Sequence, residues 1–227
     1  MIGFLGAMDI EIEGLLKAST HTKENKISGI TFFECKIENK DVIVAKCGIG
    51  KVNAALSAEA MILTYNPSLV INTGVAGSLS KTLKIGDIVL SEDVCQHDFD
   101  TSPLGDPIAL LPGINMVKIP ADKKALDSFL KASEKLGLNT GVGTIASGDQ
   151  FVSSSEQKKF IVDTFNAKAC EMEGGSIGQV CKQNGTPFFI IRALSDSADE
   201  GAVDDYPSFA KKAADNSVRL ILEFLKN

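Results

Sequence analysis

The chain has 227 residues, 44% hydrophobic and 23% charged, which is typical of a globular protein of one or two domains. Its 23 basic and 29 acidic residues give a formal net charge of -6, which argues against nucleic-acid binding because phosphates require a basic surface. The large apolar fraction and the moderate charge exclude a disordered chain.

The N-terminal half of the chain alternates apolar runs with segments of helical character. Acidic residues in the first turn favour a helix over residues 8–16, and an Ala-rich stretch predicts a helix over 51–65. The Gly-rich run 74–78 predicts a turn after a strand. The strands predicted in this half cover residues 2–7, 30–37, 42–47, 69–73 and 85–90.

The C-terminal half begins with a long loop, because residues 97–120 are rich in Asp, Pro and Gly. Strands are predicted over residues 140–147, 167–172 and 186–194, and helices over 121–135, 155–165, 173–183 and 208–225. Strands that alternate with helices predict an α/β fold, a three-layer α/β/α arrangement around a mixed, mostly parallel twisted sheet. No repeat or linker is visible, so one domain over residues 1–227 is expected.

Three acidic residues follow predicted strands: Glu11, Glu173 and Asp196. Ligands bind at the carboxyl ends of strands in open α/β sheets, so these side chains are candidates for one site. Carboxylates that meet in one crevice shift each other's pKa, which allows an acid and a base to coexist at one pH. Each residue alone has an ordinary explanation, as a first-turn acid, a helix N-terminal charge or an N-cap.

Two further side chains stand out beside these acids. Arg192 lies inside an apolar strand, and a buried arginine needs a partner, which is either a site carboxylate or a structural ion pair. Phe151 follows the strand that ends at residue 147, where it is available to stack on a planar base or to pack in the core.

Other familiar motifs fail on their required residues. The run 48–51 lacks the first glycine and the following Ser or Thr of a P-loop. The His/acid cluster 97–100 has no second nearby histidine and no paired cysteines, so no metal site is predicted. A Ser-His-Asp triad would need His21 or His97, and neither follows a clear strand end.

The cysteines and the N-terminus bear on the cellular compartment. Five cysteines without CxxC spacing indicate reduced thiols, and no basic, apolar leader is present. No apolar run approaches the ~18 residues of a membrane span. A cytoplasmic protein without membrane association is expected.

Seven runs stand in a fixed order along the chain and carry a family resemblance: Gly6-Ala7-Met8 with Glu11, and residues 48–52, 72–77, 83–87, 147–152, 171–173 and 192–196. In them the chain resembles the nucleosidases that hydrolyse 5'-methylthioadenosine and S-adenosylhomocysteine, members of the purine nucleoside phosphorylase/hydrolase superfamily. The resemblance implies that family's fold, a single nucleosidase domain, and a role in nucleoside catabolism and methionine salvage.

The resemblance also implies roles for individual residues. Asp196 corresponds to the acid that protonates the purine at N7, Glu11 to the base that activates water, and Glu173 to the residue that binds the ribose hydroxyls. No metal or cofactor is implied. The substrate-binding residues implied in addition to Glu173 are Met8, Ile49, Gly77, Phe151, Val152, Met172, Arg192, Ser195, Tyr206 and Pro112.

Within that set the resemblance is more specific for some members. Phe151 would stack on adenine, the Val152 backbone would read the edge of the base, and Met172 would pack on the sugar. Tyr206 stands where the family often has Phe, which leaves the preferred 5' substituent open. Pro112 matches a loop residue that reaches a partner subunit's site, so a homodimer is implied. Arg192 is expected to place Ser195 and Asp196, or to fix Glu173.

Three alternatives remain at this stage. A phosphorylase of the same fold would need cations around phosphate, whereas the predicted turns offer Asn72, Val75, Asp9 and Glu11. Relatives that cleave 6-amino-6-deoxyfutalosine, a menaquinone precursor, have a run similar to residues 146–152, and 5'-deoxyadenosine is a further candidate substrate. A nucleoside-binding protein without catalysis is the third alternative.

Overall fold

The computed structural model describes residues 1–226, apart from the side chain of His21. The described chain forms ten strands and six α-helices. The strands are β1 Ile2–Gly6, β2 Thr20–Ile27, β3 Ile30–Ile37, β4 Lys40–Lys46, β5 Leu69–Ser78, β6 Ile88–Gln96, β7 Ile119–Pro120, β8 Thr140–Ser147, β9 Ala167–Glu171 and β10 Phe188–Asp196. The helices are α1 Asp9–Lys17, α2 Lys51–Tyr65, α3 Lys123–Leu136, α4 Ser155–Phe165, α5 Gly174–Asn184 and α6 Ala202–Leu225.

Strand β5 is the centre of one mixed sheet. It pairs in parallel with β1 and β10 and antiparallel with β9. The pairings β9–β8, β8–β6 and β6–β10 lead back to β10, so five strands form a closed ring. On the other side of β5 the sheet continues through β1, β4, β3 and β2. The predicted α/β class with a mixed sheet is confirmed.

Helices cover both faces of this sheet. Helices α1 and α3 both contact α6 on one face, and α2 contacts α5 on the other. Phe129 of α3 stacks between Phe189 and Phe224, with ring centroids 5.1 Å and 4.1 Å away. Strand β10 is buried along its whole length, as expected for a strand covered on both faces. The two helix layers therefore leave the strand ends as the place where side chains can meet a ligand.

The helix boundaries follow from local chemistry. The side chains of Asp122 and Ser154 accept N–H bonds at the starts of α3 and α4, at 2.7 Å and 3.2 Å. Asn66, Asn166 and Gly185 end their helices in the left-handed conformation, which stops further α-helical bonding.

The structure differs from the prediction at residues 74–78, at residues 20–27 and at the start of α6, and β6 ends at Gln96 rather than at residue 90. Residues 74–78, expected to form a turn, continue β5 because they pair with β10 and β9 on either side. The polar segment Thr20–Ile27 forms β2 by pairing with β3, although no apolar alternation announces it. Helix α6 begins at Ala202 rather than 208 and includes Pro207. Tertiary pairing overrides the local signal in the first two cases.

The thiols agree with the prediction of reduced cysteines. Cys35, Cys47, Cys95, Cys170 and Cys181 are free and buried. Burial raises the pKa of Cys95 and of Cys181 to about 12, so neither thiol is ionised at neutral pH. Among the helices of the described chain, none has the length and apolarity needed to cross a membrane.

Candidate active site

A cleft of about 320 Å³ opens at the carboxyl ends of β1, β5, β9 and β10. This is the edge of the sheet at which α/β proteins bind ligands. Four carboxyl groups face the cleft, together with apolar and aromatic side chains. The lining residues are Ala7, Met8, Glu11, Ile49, Val75, Ala76, Gly77, Gln150, Phe151, Val152, Cys170, Glu171, Met172, Glu173, Ser195, Asp196 and Tyr206.

Glu11 lies in the first turn of α1 and is held by three backbone donors. Its Oε2 accepts from the N–H groups of Ala7 at 2.6 Å and Met8 at 3.0 Å, and its Oε1 accepts from Val75 at 3.0 Å. Burial raises the pKa of Glu11 above its usual range, while the Arg192 charge and the three N–H donors oppose this. The carboxylate is therefore fixed in orientation and is a stronger base than an exposed glutamate.

Gly74 of β5 allows this approach. A Cβ atom at Gly74 would lie 2.5 Å from Glu11 Oε1 and 3.3 Å from the Arg192 guanidinium. Any side chain at this position would displace the carboxylate, so the apparent turn glycine serves close packing against Glu11.

Glu173 occupies the N-cap position of α5, where the partial positive charge of the helix end favours an anion. Its Oε1 accepts from the Gly50 N–H at 2.9 Å, and its Oε2 lies 3.6 Å from the Arg192 guanidinium. Burial raises the pKa of Glu173 to about 8, and the neighbouring Glu171 carboxylate acts in the same direction. The Arg192 charge and the Gly50 N–H oppose the shift without cancelling it.

Arg192 lies beneath the cleft and does not line it. Its guanidinium is 1% exposed and binds the Glu171 carboxylate and the Asn72 side-chain oxygen directly. Glu171 also accepts from the Glu173 N–H at 3.1 Å and from Ser147 Oγ. The ion pair with Glu171, itself one of the cleft carboxyl groups, is the main contact of Arg192, and Glu173 is a secondary one.

Asp196 ends β10 and faces the cleft from the opposite side. Its Oδ2 accepts from Ser195 Oγ at 2.8 Å and its Oδ1 from the Ala198 N–H at 2.9 Å. Burial raises the pKa of Asp196; the two donors oppose this, and the charges of two nearby aspartates add to it. A Cβ atom at Gly77 would lie 2.8 Å from Asp196 Oδ1, so β5 packs against this acid as closely as it does against Glu11.

Aromatic side chains form the open side of the cleft. Phe151 is 46% exposed and meets Tyr206 edge to face, with ring centroids 5.7 Å apart. The Tyr206 hydroxyl lies 3.2 Å from Met8 Sδ. Phe151 is therefore not a core residue but presents a ring to the cleft, as stacking on a planar base requires.

The structure brings together eleven of the thirteen site residues predicted from sequence. The two that do not line the cleft are Arg192, which lies beneath it, and Pro112, which is exposed on the loop before β7. The lining residues that sequence reasoning missed are Ala7, Val75, Ala76, Gln150, Cys170 and Glu171. All six lie inside or beside the motif runs; Glu171 is an acid at the end of β9, a signal that could have found it, whereas the other five carry no charged side chain.

The lining of the cleft contains no lysine and no arginine among the residues that the structure describes. The same part of the chain holds no group of three His, Cys, Asp or Glu residues arranged for a metal ion. A larger groove of about 560 Å³ carries Lys84, Lys158 and Lys212, but it does not gather the strand-end acids. The smaller cleft is therefore the candidate active site, because converging buried carboxyl groups with raised pKa values mark a functional site.

Comparisons with known proteins agree with this geometry. A family model described as the phosphorylase superfamily matches residues 1–226. The 5'-methylthioadenosine/S-adenosylhomocysteine nucleosidase of Shewanella loihica is 38% identical over 228 residues, which cover 100% of this chain and 99% of that protein. That of Staphylococcus haemolyticus is 36% identical over 227 residues, 100% of this chain and 99% of that protein.

Solved structures are similar over the whole fold. The Neisseria meningitidis 5'-methylthioadenosine/S-adenosylhomocysteine nucleosidase, in complex with methylthio-immucillin-A, has a TM-score of 0.96 and 37% identity, with 99% of this chain and 98% of that chain covered. A futalosine hydrolase of Helicobacter pylori has a TM-score of 0.95 and 37% identity, with coverage of 98% and 96%. The chain belongs to the phosphorylase superfamily and, within it, to the family of 5'-methylthioadenosine/S-adenosylhomocysteine nucleosidases.

Proposed function

We propose that this protein hydrolyses the N-glycosidic bond of 5'-methylthioadenosine and S-adenosylhomocysteine, releasing adenine and the 5'-substituted ribose. The observation that carries the proposal is a cleft whose described lining holds no lysine or arginine, in which Glu11 and Asp196 approach one strand from two sides. Gly74 and Gly77 are three residues apart on β5, about 10 Å along an extended strand. This spacing suits a nucleoside, which needs proton donation at its base and water activation at its sugar.

Asp196 acts as the general acid in this proposal. The bond between the sugar C1' and the purine N9 breaks with its electron pair moving onto the purine, and Asp196 transfers its proton to N7. Protonation removes the negative charge that would otherwise develop on the leaving base. The raised pKa of Asp196 supports this role, because an ordinary aspartate at about 3.9 would hold no proton at neutral pH.

Glu11 and Glu173 act at the sugar. Glu11 takes a proton from the water whose oxygen attacks C1', and Glu173 accepts hydrogen bonds from the ribose hydroxyls. Glu11 in its ionised form stabilises the positive charge that develops on the oxocarbenium-like sugar. The three N–H donors on Glu11 support this role, because they fix the carboxylate before the substrate binds.

Water is a better nucleophile here than phosphate. A phosphate dianion in the cleft would meet the carboxyl groups of Glu11, Glu171 and Glu173 without a lysine or arginine in the described lining. The guanidinium of Arg192 is already bound to Glu171 and Asn72 beneath the cleft. This arrangement favours hydrolysis over phosphorolysis.

The 5' group is the least constrained part of the substrate. Met8 and Tyr206 supply a thioether and a phenol at one end of the cleft, which offer both apolar and polar contacts. The similarity to a futalosine hydrolase supports 6-amino-6-deoxyfutalosine as a further substrate and its cleavage as an alternative main role. 5'-Deoxyadenosine is a smaller candidate of the same class.

A homodimer in the cytoplasm completes the proposal, with one nucleosidase domain over residues 1–227. Val52, Leu56 and Leu63 lie at spacings of four and seven residues on α2, so they share one helix face. Their exposed fractions are 78%, 46% and 73%, whereas the opposite face of α2 is buried. An exposed apolar face of this kind is suited to a second copy of the chain, with Pro112 reaching the partner's site.

Adenine release from 5'-methylthioadenosine is the direct test of the reaction. We expect the purified protein to release adenine at the same rate without and with phosphate, because the cleft offers no anion site. The measurement is chromatography of the base and the sugar. Formation of a ribose 1-phosphate derivative only when phosphate is present would establish a phosphorylase, and tight adenine binding without turnover would establish a binding protein.

The roles of the acid and the base are tested by isosteric variants. We expect Glu11→Gln and Asp196→Asn each to lower kcat by about 10²–10⁴-fold, because each removes one proton transfer. Glu13→Gln is the matched control, since Glu13 lies on α1 beside Glu11 but pairs with Lys17 and Lys211 at the surface. Circular dichroism should show all three variants folded; full activity in either site variant contradicts its assignment.

The pH dependence follows from the same two groups. Activity requires Glu11 ionised, so kcat/KM falls as the pH drops through its raised pKa. Activity also requires Asp196 protonated, so kcat/KM falls again as the pH rises through the raised pKa of that group. We expect a bell-shaped profile whose descending limb lies above about 3.9, the usual aspartate pKa. Activity that declines steadily from about pH 4 upward would exclude Asp196 as the acid.

The proposed interface is tested by a charge on α2. Light scattering should give the wild-type protein twice its chain mass of 24.1 kDa, and Leu63→Glu should give a single-chain mass because the charge would be buried in the dimer. Leu130→Glu on α3, a partly exposed leucine away from α2, is the control and should leave the dimer intact. A monomeric wild-type protein with full activity would refute the interface.

A further inference from the structure

Lys51, Asp98 and Asp149 form a closed ring of three hydrogen bonds, which we call the clasp. The Lys51 Nζ donates to Asp98 Oδ1 at 2.6 Å, and the Lys51 backbone N–H donates to Asp149 Oδ1 at 2.7 Å. The Asp149 N–H closes the ring on Asp98 Oδ2 at 2.8 Å. Each residue thus contacts both of the others, so displacing one strains two contacts.

The clasp joins three loops that follow different strands. Lys51 follows the loop after β4, Asp98 lies after β6, and Asp149 lies after β8. Two of these loops line the cleft: Ile49 and the Gly50 N–H come from the first, and residues 150–152 come from the third. The clasp therefore connects the side of the cleft that contains Glu173 to the side that contains the Phe151 ring.

The contacts are tight where they meet the cleft. Gly50 has φ 95°, and a Cβ atom there would lie 3.0 Å from Asp149 Oδ1, so the loop follows this path only with glycine. The side chains of Lys51 and Asp98 are 17% and 16% exposed. Partial burial disfavours a charged Asp98, but the bonds from Lys51 and from the Asp149 N–H outweigh it and hold the pKa of Asp98 below its usual range.

The clasp has no place in the chemistry itself. None of its three residues lines the cleft. Lys51 ends the run that resembles a P-loop, yet its ammonium group is bound to Asp98 and to the Gln96 side-chain oxygen at 3.2 Å rather than pointing at a phosphate. The lysine is therefore accounted for by a structural bond that controls where Gly50 lies.

We propose that Lys51, Asp98 and Asp149 are positioning residues that fix the Gly50 N–H against Glu173 and fix Phe151 over the base. This inference rests on the proposed function for its catalytic consequence, although the clasp can be tested without it. Loss of the clasp releases one donor of Glu173 and loosens the stacking side at the same time. Misplacement of groups around a bound substrate is costly, since about 1 Å can lower the rate 10²-fold.

The test compares four variants of the full-length protein. Lys51→Met removes the ammonium group and keeps the length of the side chain, and Asp149→Ala removes the acceptor of the Lys51 N–H. Asp149→Asn keeps a neutral oxygen at that position and should rescue the bond. Lys36→Met is the matched control, because Lys36 pairs with Asp41 at 3.3 Å on the surface between β3 and β4.

Two readouts separate the clasp from the proposed function. Hydrogen exchange by mass spectrometry reports on residues 47–52 and 148–153. We expect the exchange rate in both segments to rise together, by about ten-fold, in Lys51→Met and Asp149→Ala. A rise of this size corresponds to the loss of about one charged hydrogen bond. With 5'-methylthioadenosine as the probe, these two variants should raise KM and lower kcat/KM by about ten-fold or more. Asp149→Asn and Lys36→Met should resemble the wild type in both measurements.

Each outcome decides one of the two claims. Unchanged exchange in Lys51→Met and Asp149→Ala would falsify the clasp. Faster exchange with unchanged KM and kcat overturns the positioning role. A lower kcat with unchanged KM and a lower melting temperature also overturns it, because partial unfolding only reduces the fraction of active protein. If exchange rises in both segments of Lys51→Met and Asp149→Ala but the wild-type protein releases no adenine, the clasp is supported and only the proposed function is refuted.

Discussion

The cleft depends on the attraction between the buried guanidinium of Arg192 and the carboxyl groups around it. The described chain has two arginines, and only this one is buried. Glu171 pairs with Arg192 directly, and Glu173 lies 3.6 Å from it. The Arg192 charge also opposes the rise that burial causes in the pKa of Glu11. Burying several carboxylates without a cation would neutralise them, and removing one partner of a buried pair typically costs about 3–5 kcal/mol.

The guanidinium of Arg192 acts on the site acids to different degrees. Glu171 takes the direct bond to the guanidinium, whereas Glu11 and Glu173 receive only part of its field and keep raised pKa values. Asp196 lies beyond direct contact with the guanidinium, and two neighbouring aspartates push its pKa further upward. The proposed reaction uses this gradient of environment around one buried charge to supply a base at the sugar and an acid at the purine.

Strand β5 and the loops after the strands convert this charge arrangement into a shape. Gly74 and Gly77 let β5 lie against Glu11 and Asp196 at distances that any side chain would prevent. The loops that follow β4, β6 and β8 add the rim, where the Gly50 N–H and the Phe151 ring are placed. The strand supplies rigid positions for the acids, and the loops supply the remaining contacts at the cleft.

The amino-acid sequence by itself determined the α/β class, most helix and strand centres, and the three acids at strand ends. Apolar periodicity and strand-end polarity are local signals, and the family motifs include Glu11 and Asp196. Only the tertiary structure decided that residues 74–78 form a strand and that 20–27 pair with a neighbour, because partners far along the chain supply those hydrogen bonds. It also decided the role of Arg192, expected from sequence to place Ser195 and Asp196 or to fix Glu173. Its direct pairing with Glu171 depends on the distances between β9, α5 and β10 in space rather than on their order in the chain.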